Sequence, residues 1–326
     1  MTMRDTQAHE AACMYYLQGH TMSTIAHHLN VSRSSVSRLL AYARETGLVR
    51  ISVPPMTGLK ATLAGQISEL FGVHTSVVSV QDIHTEVSRL NNVAMVAAER
   101  LIDLMTPGAT LGIAWGNTTS EISRCLQPVS FPGSTVVQLN GAGTATDAGL
   151  VYADALISRV AGALGARTVH FPVPAFFDFA STKEAMWRER AIRSVLDTID
   201  SCDIALFGVG SLSARLPSHV YSGGYLEQEE IEAARADGVV GDVCTVLIRE
   251  DGSTDMELNA RASGPTPQTL SQIPHRLCVV AGSSKALPLL GALRAGVVTD
   301  LVLDAGAARE LLELVRSKTH RRKRVR

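Results

Sequence analysis

Short apolar runs alternate with amphipathic helical stretches from residue 76 onward, and this alternation constrains the fold more than any other feature of the sequence. Strands that are apolar on both sides must be buried on both faces of a sheet. When crossover helices join such strands, they form a mostly parallel, doubly wound sheet. The runs that we interpret as strands are 77–80, 110–114, 135–139, 168–171, 204–207, 243–248, 277–280 and 301–303.

Amphipathic stretches between these runs predict helices at 86–105, 149–164, 181–199 and 305–316. The third of them opens with Ser181-Thr182-Lys183-Glu184, a pattern typical of a capping box. A further helical segment, Leu59–Phe71, precedes the first strand and is suited to connecting domains or to oligomerisation. The fold class that we predict for this part of the chain is therefore α/β.

Residues 21–50 have the pattern of a helix-turn-helix, in which two short apolar helical segments flank Asn30-Val31-Ser32. Ser32 is suited to cap the second helix, because its hydroxyl can accept a free backbone N–H. A preceding helix from about Thr6 to Leu17 makes this part of the chain all-α. The apolar residues at helical spacing on the two segments are Ile25, Ala26, Leu29, Val36, Leu39, Leu40 and Ala43.

Short polar side chains and arginines at the start of a helix can enter the major groove of DNA. We therefore predict that Ser34, Ser35, Ser37 and Arg38 contact base edges, and that arginines nearby and the C-terminal tail contact phosphates. An ordinary solvated helix face is the alternative. The complete predicted DNA-binding set is Ser32, Arg33, Ser34, Ser35, Ser37, Arg38 and Arg44.

A linker at Pro54–Gly58 follows an alternating stretch, 48–53, that we interpret as a strand. We accordingly predict a DNA-binding domain with its linker at 1–57 and a second domain at 58–326. Residues 1–50 carry a net charge of +2 and residues 316–326 carry +7, so the chain's net charge of −1 leaves −10 for the remainder. An acidic body with basic ends fits a protein that meets a polyanion only at defined places, although a basic terminus is usually just solvated.

Several classes of protein are disfavoured by the sequence. The N-terminus is polar and acidic, unlike a signal peptide, and Lys285, Arg294 and Pro288 interrupt the apolar stretch 277–298. The five cysteines are far apart and form no CxxC, which favours reduced thiols and a cytoplasmic protein. His27 and His28 are adjacent and point to different helix faces, so we predict no metal site. No catalytic motif is present, and we predict neither catalytic residues nor a cofactor.

Glycine-containing polar turns follow four of the predicted strands, at 115–119, 140–144, 208–211 and 281–285. Ligands of such sheets bind outside the carboxyl ends of the strands. Glycine lets the backbone approach a ligand, and the N-termini of the following helices offer free N–H groups. Although a single glycine turn is usually only a turn, four at one edge favour a pocket.

The chain resembles the SorC family of bacterial sugar-responsive transcriptional regulators, and the match spans nearly its whole length. The resemblance implies a C-terminal domain similar to sugar-phosphate isomerases and deaminases, tetramers that bind operator DNA, and a sugar, polyol or sugar phosphate as effector. The segments that carry it, in this order and spacing, are 25–40, 112–118, 138–141, 281–286 and 301–304.

Together with the glycine turns, the resemblance gives the predicted effector-binding set. It implies that the turns at 116–119 and 140–142, an acidic position near Asp242 and a lysine matching Lys285 line the pocket. The set is Gly116, Asn117, Thr118, Thr119, Asn140, Gly141, Ala142, Gly210, Asp242 and Lys285.

Asn140 departs from the family pattern, because members that sense phosphorylated sugars often have a basic residue there. Residues 141–158 also contain no Lys or Arg, whereas a phosphate favours charge-assisted bonds from such residues. We therefore predict that the chain is a transcriptional regulator of a catabolic operon and that its effector is a non-phosphorylated sugar or polyol. The alternative function is a sugar-phosphate isomerase or deaminase with an appended helical domain, although Asp147, Asp178 and Asp242 form no recognisable acid–base pair with a histidine.

Overall fold

A computed structural model of the chain describes residues 3–49, 59–80, 85–143, 148–212, 214 and 218–324. The chain divides into two compact units, Met1–Met56 and Thr57–Arg326. The predicted linker at 54–58 and most of the predicted strand at 48–53 lie outside the described residues. Leu48 and Val49, which are described, are not in a strand.

The described residues of the first unit form three helices, α1 (Met3–Ala12), α2 (Met22–His28) and α3 (Arg33–Glu45), with a π-helical turn at Cys13–Leu17. As predicted, Ser32 caps α3, since its Oγ accepts the N–H of Ser35 at 3.1 Å. Thr21 caps α2 in the same way. The apolar faces of the helices form one small core that consists of Ala8, Ala11, Ala12, Met14, Ile25, Val36, Leu39, Leu40 and Ala43.

The second unit is an α/β domain built on a seven-stranded sheet in which every pairing is parallel, which confirms the predicted fold class. The strands of this sheet and of a small second sheet are β1 (His74–Val78), β2 (Thr110–Ile113), β3 (Thr135–Gln138), β4 (Arg167–Val169), β5 (Ile204–Gly208), β6 (Gly210–Ser211), β7 (Val239–Val243), β8 (Val246–Arg249), β9 (His275–Val280) and β10 (Asp300–Asp304).

Helices cover both faces of the large sheet and bury two apolar layers against it. Two 3₁₀ turns, Glu257–Ala260 and Ser283–Lys285, also occur among the described residues. The helices are α4 (Leu59–Phe71), α5 (Glu86–Leu104), α6 (Asn117–Cys125), α7 (Ala148–Leu164), α8 (Ala180–Met186), α9 (Arg190–Asp200), α10 (His219–Ser222), α11 (Gln228–Ala236), α12 (Pro267–Gln272), α13 (Ala286–Arg294) and α14 (Ala305–Arg324).

The order of the large sheet is β1-β10-β9-β5-β2-β3-β4. From β2 the chain continues to β3 and β4 on one side, whereas from β5 it continues to β9 and β10 on the other. The direction of winding therefore reverses between β2 and β5, and a crevice opens at the carboxyl ends of these two strands. The three strands β6, β7 and β8 form a separate antiparallel sheet.

Three local predictions were wrong. The run 243–248 is not one strand, because the two-residue turn Cys244-Thr245 separates β7 from β8. The stretch 181–199 is two helices, and the chain breaks near Trp187, whose ring packs against Phe171 and Phe177. The capping box at 181–184 does not form, since the N-cap of α8 is Phe179, whereas Glu227 and Glu230 form one at α11.

Among the described residues, none of the helices has the length and apolar character needed to cross a membrane.

Candidate functional site

A polar cleft lies at the winding reversal of the large sheet, at the carboxyl ends of the strands. It comprises about 600 Å³ of space free of protein atoms, part of which is open solvent. Eight of the ten predicted effector-binding residues line it, namely Gly116, Asn117, Thr118, Thr119, Asn140, Gly210, Asp242 and Lys285. Residues that are more than 160 positions apart in the sequence thus meet because parallel strands share one edge.

The start of α6 forms one wall of the cleft. Gly116 is its N-cap and has no side chain to offer, and Thr119 donates its hydroxyl to the Gly116 carbonyl at 3.0 Å. The first backbone N–H groups of a helix have no partner within the helix, so they are available to a ligand oxygen. The hydroxyls of Thr118 and Thr119 lie in the same turn and are buried.

Lys285 extends from the 3₁₀ turn that follows β9, and its Nζ lies 3.5 Å from Oγ1 of Thr118. Burial lowers the pKa of this lysine, and the nearby carboxylate of Asp242 opposes that shift. Asp304, which is fully buried at the end of β10, accepts the N–H of Gly282 and so fixes the turn. Lys285 therefore places an N–H donor at the carboxyl ends of the strands, in a turn that Asp304 holds in position.

Asp242 is a buried carboxyl group on β7, paired in the small sheet with Gly210. A Cβ at Gly210 would overlap the Asp242 carboxylate, so glycine is required for the two strands to pair there. One carboxylate oxygen, Oδ2, accepts the N–H of Thr245 at 3.2 Å, and the nearby Tyr221 hydroxyl also interacts with the carboxylate, although Oδ1 accepts no hydrogen bond of regular geometry from the described residues. Burial raises the pKa of Asp242 to about 6, against the opposing effects of Tyr221, Thr245 and Lys285.

Asn140 is buried at the end of β3 and is positioned by its neighbour, because Gln138 donates Nε2 to the Asn140 carbonyl at 2.7 Å. Its own Oδ1 accepts no hydrogen bond from the described residues. A buried acceptor without a donor is costly, so this oxygen and Oδ1 of Asp242 are suited to O–H donors of a ligand.

Gly141 and Ala142 do not line the cleft, although we predicted both. Gly141 accepts Nε1–H of Trp115 at 2.8 Å and donates its N–H to Ser263 Oγ at 2.9 Å. A Cβ at Gly141 would overlap the carbonyls of residues 173 and 174. Ala142 is fully buried in the core. These two residues support the site from behind, where close backbone packing leaves no space for a ligand.

The structure adds lining residues outside the predicted effector-binding set. Trp115, Gly208 and Val209 lie in the predicted glycine turns, whereas Ala114, Ser218, His219, Val220, Cys244 and Thr245 do not. Trp115 stacks on Tyr225 with ring centroids 4.9 Å apart, and His219 lies against the ring of Tyr152. Of the residues outside those glycine turns, Ser218 is the N-cap of α10, His219 and Val220 lie in α10, and Cys244 and Thr245 form the turn between β7 and β8. Neither element follows a strand of the large sheet, so the search for glycine turns after strands could not find them.

In the first unit, all seven predicted DNA-binding residues lie on or directly before α3. Six of them are exposed, and Ser35 is half-buried. The Ser32 hydroxyl lies 2.8 Å from those of Ser34 and Ser35, and Arg38 donates Nη2 to Ser35 at 3.4 Å. The start of α3 therefore presents a connected set of hydroxyls and a guanidinium on one exposed surface.

Other candidates from the sequence lie apart from the cleft. His28 pairs with Glu10 at 3.1 Å, and no group of three or more metal-ligating side chains occurs among the described residues. His170 pairs with the exposed Asp154 at 3.5 Å, and Asp178 lies outside the cleft lining. Asp147 lies outside the described residues. The titratable neighbours that Asp242 does have, Tyr221 and Lys285, come from distant parts of the sequence.

Known families match both parts of the chain. Residues 57–313 match the family described as "Putative sugar-binding domain", and residues 9–46 match "Sigma-70, region 4". A curated relative, the deoxyribonucleoside regulator of Bacillus subtilis (strain 168), is 30% identical over 305 residues, which cover 93% of this chain and 96% of the relative.

Solved structures agree with these matches. The full-length sorbitol operon regulator SorC of Klebsiella pneumoniae has a TM-score of 0.77 and 25% identity, and the match covers 94% of this chain and 97% of that one. A domain of a possible sugar-binding transcriptional regulator from Arthrobacter aurescens TC1 has a TM-score of 0.73 and 45% identity, over 80% of this chain and 99% of that domain.

Proposed function

The chain belongs to the SorC family of sugar-responsive transcriptional regulators, and on this basis we propose a function for each of its two parts. Residues 1–57 bind operator DNA, and residues 58–326 bind a small carbohydrate effector and assemble the chain into a homotetramer. The observation that carries the effector proposal is the pair of buried acceptors in the cleft, Oδ1 of Asn140 and Oδ1 of Asp242.

The DNA contacts follow from the chemistry of α3. Ser34, Ser35, Ser37 and Arg38 read base edges in the major groove, because they lie on the first turns of the second helix of a helix-turn-helix. Ser32 caps that helix, and Arg33 and Arg44 contact phosphates, as do basic residues near the C-terminus. The exposure of this surface and the match to a sigma-70 region 4 helix-turn-helix support these roles.

The effector in this proposal is a non-phosphorylated sugar or polyol. Among the described lining residues, Lys285 is the one Lys or Arg, and the nearby Asp242 carboxylate, when ionised, offsets its charge. A phosphate dianion favours several Arg or Lys partners, whereas buried amide and carboxylate oxygens favour hydroxyl donors. Lys285 and the start of α6 then serve as donors to the remaining ligand oxygens.

We propose that the chain is not an enzyme. The curated relatives and solved neighbours described above are named as regulators, which supports this assignment. The competing candidate is an isomerase or deaminase, favoured by the raised pKa of Asp242 beside Lys285, because perturbed carboxyls are common in active sites. Turnover assays on pentose and hexose phosphates, including amino sugar phosphates, decide between the two. Turnover that is lost in Asp242→Asn would establish the enzyme instead.

The proposal is tested on the full chain in two steps. Rounds of selection from random double-stranded DNA identify the preferred sequence, and fluorescence anisotropy measures its affinity at several salt concentrations. Free sugars and polyols, and their phosphates as matched partners, are then titrated into the complex. We expect at least one free compound to change DNA affinity. Selection of no preferred sequence contradicts the DNA proposal, and a response only to phosphorylated compounds contradicts the proposed effector class.

A further inference from the structure

The turn that joins β7 to β8 has an unusual backbone. Cys244 has φ 51° and Thr245 has φ 71°, as in a two-residue type I′ turn. Such turns favour Asn-Gly or Asp-Gly, because both residues need positive φ. Threonine is a poor choice, since a branched Cβ is disfavoured in this region of backbone space.

Elsewhere the described chain meets this requirement with residues that tolerate it. Its other positive-φ positions are glycines, apart from Asn30 with φ 50°, and asparagine adopts this conformation more easily than most residues. Among the described residues, Cys244 and Thr245 are therefore the one pair of adjacent non-glycine residues with positive φ, and both line the cleft. Strain of this kind persists where surrounding contacts impose it, and it is common at ligand sites.

Contacts on both sides hold the turn in place. The Thr245 N–H donates to Oδ2 of Asp242 at 3.2 Å, so the turn also orients the Asp242 carboxyl group. On the far side, Gly264 packs so closely that a Cβ there would overlap the Cys244 carbonyl. A glycine at position 245 would keep the backbone N–H and relieve the strain. What threonine adds is a buried side chain at the cleft lining, whose hydroxyl donates to the Cys244 carbonyl.

Resting on the proposed carbohydrate cleft, we infer that Thr245 is a specificity-determining residue whose side chain limits the size of the effector accepted beside Asp242. The backbone strain is retained because a smaller residue would open the cleft at this point. The ligand class is a small polyol or sugar whose hydroxyls donate to Asp242 and Asn140, with little space for a longer chain.

Two variants separate the size of the side chain from the backbone strain. Thr245→Ala removes most of the side chain but keeps a Cβ at positive φ, whereas Thr245→Gly removes the side chain and the strain together. The probes are free linear polyols of three, four, five and six carbons, titrated by calorimetry into the full-length protein. Thermal melts of the same samples report folding.

We expect both variants to lose roughly tenfold or more in affinity for the polyol that binds the wild type best. Both are also expected to move the preferred chain length to a longer polyol. Only Thr245→Gly is expected to raise the Tm, by on the order of 2 °C. Asn30→Gly, a positive-φ position in the other unit, is the control and is expected to leave the polyol ranking unchanged.

The outcomes separate this inference from the proposal on which it rests. If the wild type binds polyols and both folded variants keep its ranking and affinity, the role of Thr245 is refuted and the cleft proposal stands. If the wild type binds none of the polyols and none of the corresponding free sugars, the carbohydrate proposal fails and the role of Thr245 fails with it.

Discussion

At the scale of single residues, Asp242 is a buried carboxyl group whose ionisation affects both the stability of the fold and the proposed ligand site. It is a carboxyl group on a strand of the small sheet, and its pKa is raised to about 6 chiefly by burial. Near neutral pH it is a charged group in a poorly solvated place, which is unfavourable for folding. A ligand hydroxyl that donates to Oδ1 of Asp242 would reduce that cost.

This gives a prediction for the pH dependence of stability. Because the folded-state pKa lies above the ordinary 3.8, the contribution of Asp242 to stability is fully present below pH 4 and is lost as pH rises through 6. Asp242→Asn cannot ionise, so its free energy of unfolding relative to the wild type should increase between pH 4 and 7. We expect a change on the order of 2–3 kcal/mol, measured by urea unfolding at each pH.

The matched control is Asp251→Asn. The pKa of Asp251 is lowered, first by the hydroxyl of Ser253 and then by the N–H of the same residue, so the wild-type carboxylate contributes stability above its ordinary pKa. The difference between this variant and the wild type should therefore run in the opposite direction with pH. A difference for Asp242→Asn that does not change with pH would show that the carboxyl group titrates normally.

Arg38 is the second residue whose role can be tested alone. It is exposed on α3 and already bonds to Ser35 of the same surface. If its guanidinium makes a bidentate contact to a base edge, Arg38→Ala should weaken binding to the selected operator by about 1–3 kcal/mol. Gel-shift titration measures the change, with exposed Arg193→Ala of α9 as the control. Equal affinity of the two variants would rule out the base contact.

At the scale of elements, the start of α3 depends on one side chain. Ser32 accepts the N–H of Ser35, and its hydroxyl also joins the network of Ser34 and Ser35. Ser32→Ala should therefore lower the free energy of unfolding of the first unit by about 1 kcal/mol. Circular dichroism melts measure it, and Ser37→Ala, an exposed residue inside the same helix, should be nearly neutral. Equal melts of the two variants would show that the cap contributes little.

Sequence patterns predicted the elements that carry a strong local signal. Ser32 could be recognised as a cap because the apolar periodicity of α3 begins just after it. The strands of the large sheet could be recognised because they are apolar on both faces, and their shared edge then brought Thr118, Asn140 and Lys285 together in the prediction.

Other elements left no such signal. The turn at Cys244-Thr245 could not be recognised, since neither residue is a turn former and the surrounding run is uniformly apolar. The capping pattern at 181–184 was misleading because α8 begins at Ala180, with Phe179 as its N-cap, so Ser181 already lies inside the helix. His219 was not predicted to line the cleft, because α10 follows no strand of the large sheet and its position depends on tertiary packing alone.

At the scale of the whole molecule, the cleft is tied to the helices that flank the sheet. Asp304 accepts the N–H of Gly282 beside the lysine turn, and its other oxygen accepts the N–H groups of Gly306 and Ala307 at the start of α14. Further along α14, Arg316 donates to Gln66 of α4 at 2.7 Å. A ligand that moves the lysine turn would therefore act on the first helix of the second unit through a short series of direct contacts.

The test of this coupling is Lys285→Met, which keeps much of the side-chain volume and removes the ammonium. Allosteric coupling of this kind changes DNA affinity by roughly 5- to 150-fold. We expect the variant to bind the selected operator like the wild type without effector. When effector is added, its DNA affinity should no longer change, because the donor in the cleft is gone.

Lys183→Met is the control, since burial also lowers the pKa of Lys183 but its Nζ lies over the Trp187 ring, 5.5 Å away, outside the cleft. Fluorescence anisotropy with and without effector measures both variants. A full response in Lys285→Met would mean that the regulatory ligand binds elsewhere, whereas a loss of response in Lys183→Met as well would mean that general destabilisation, and not the cleft ammonium, explains the effect.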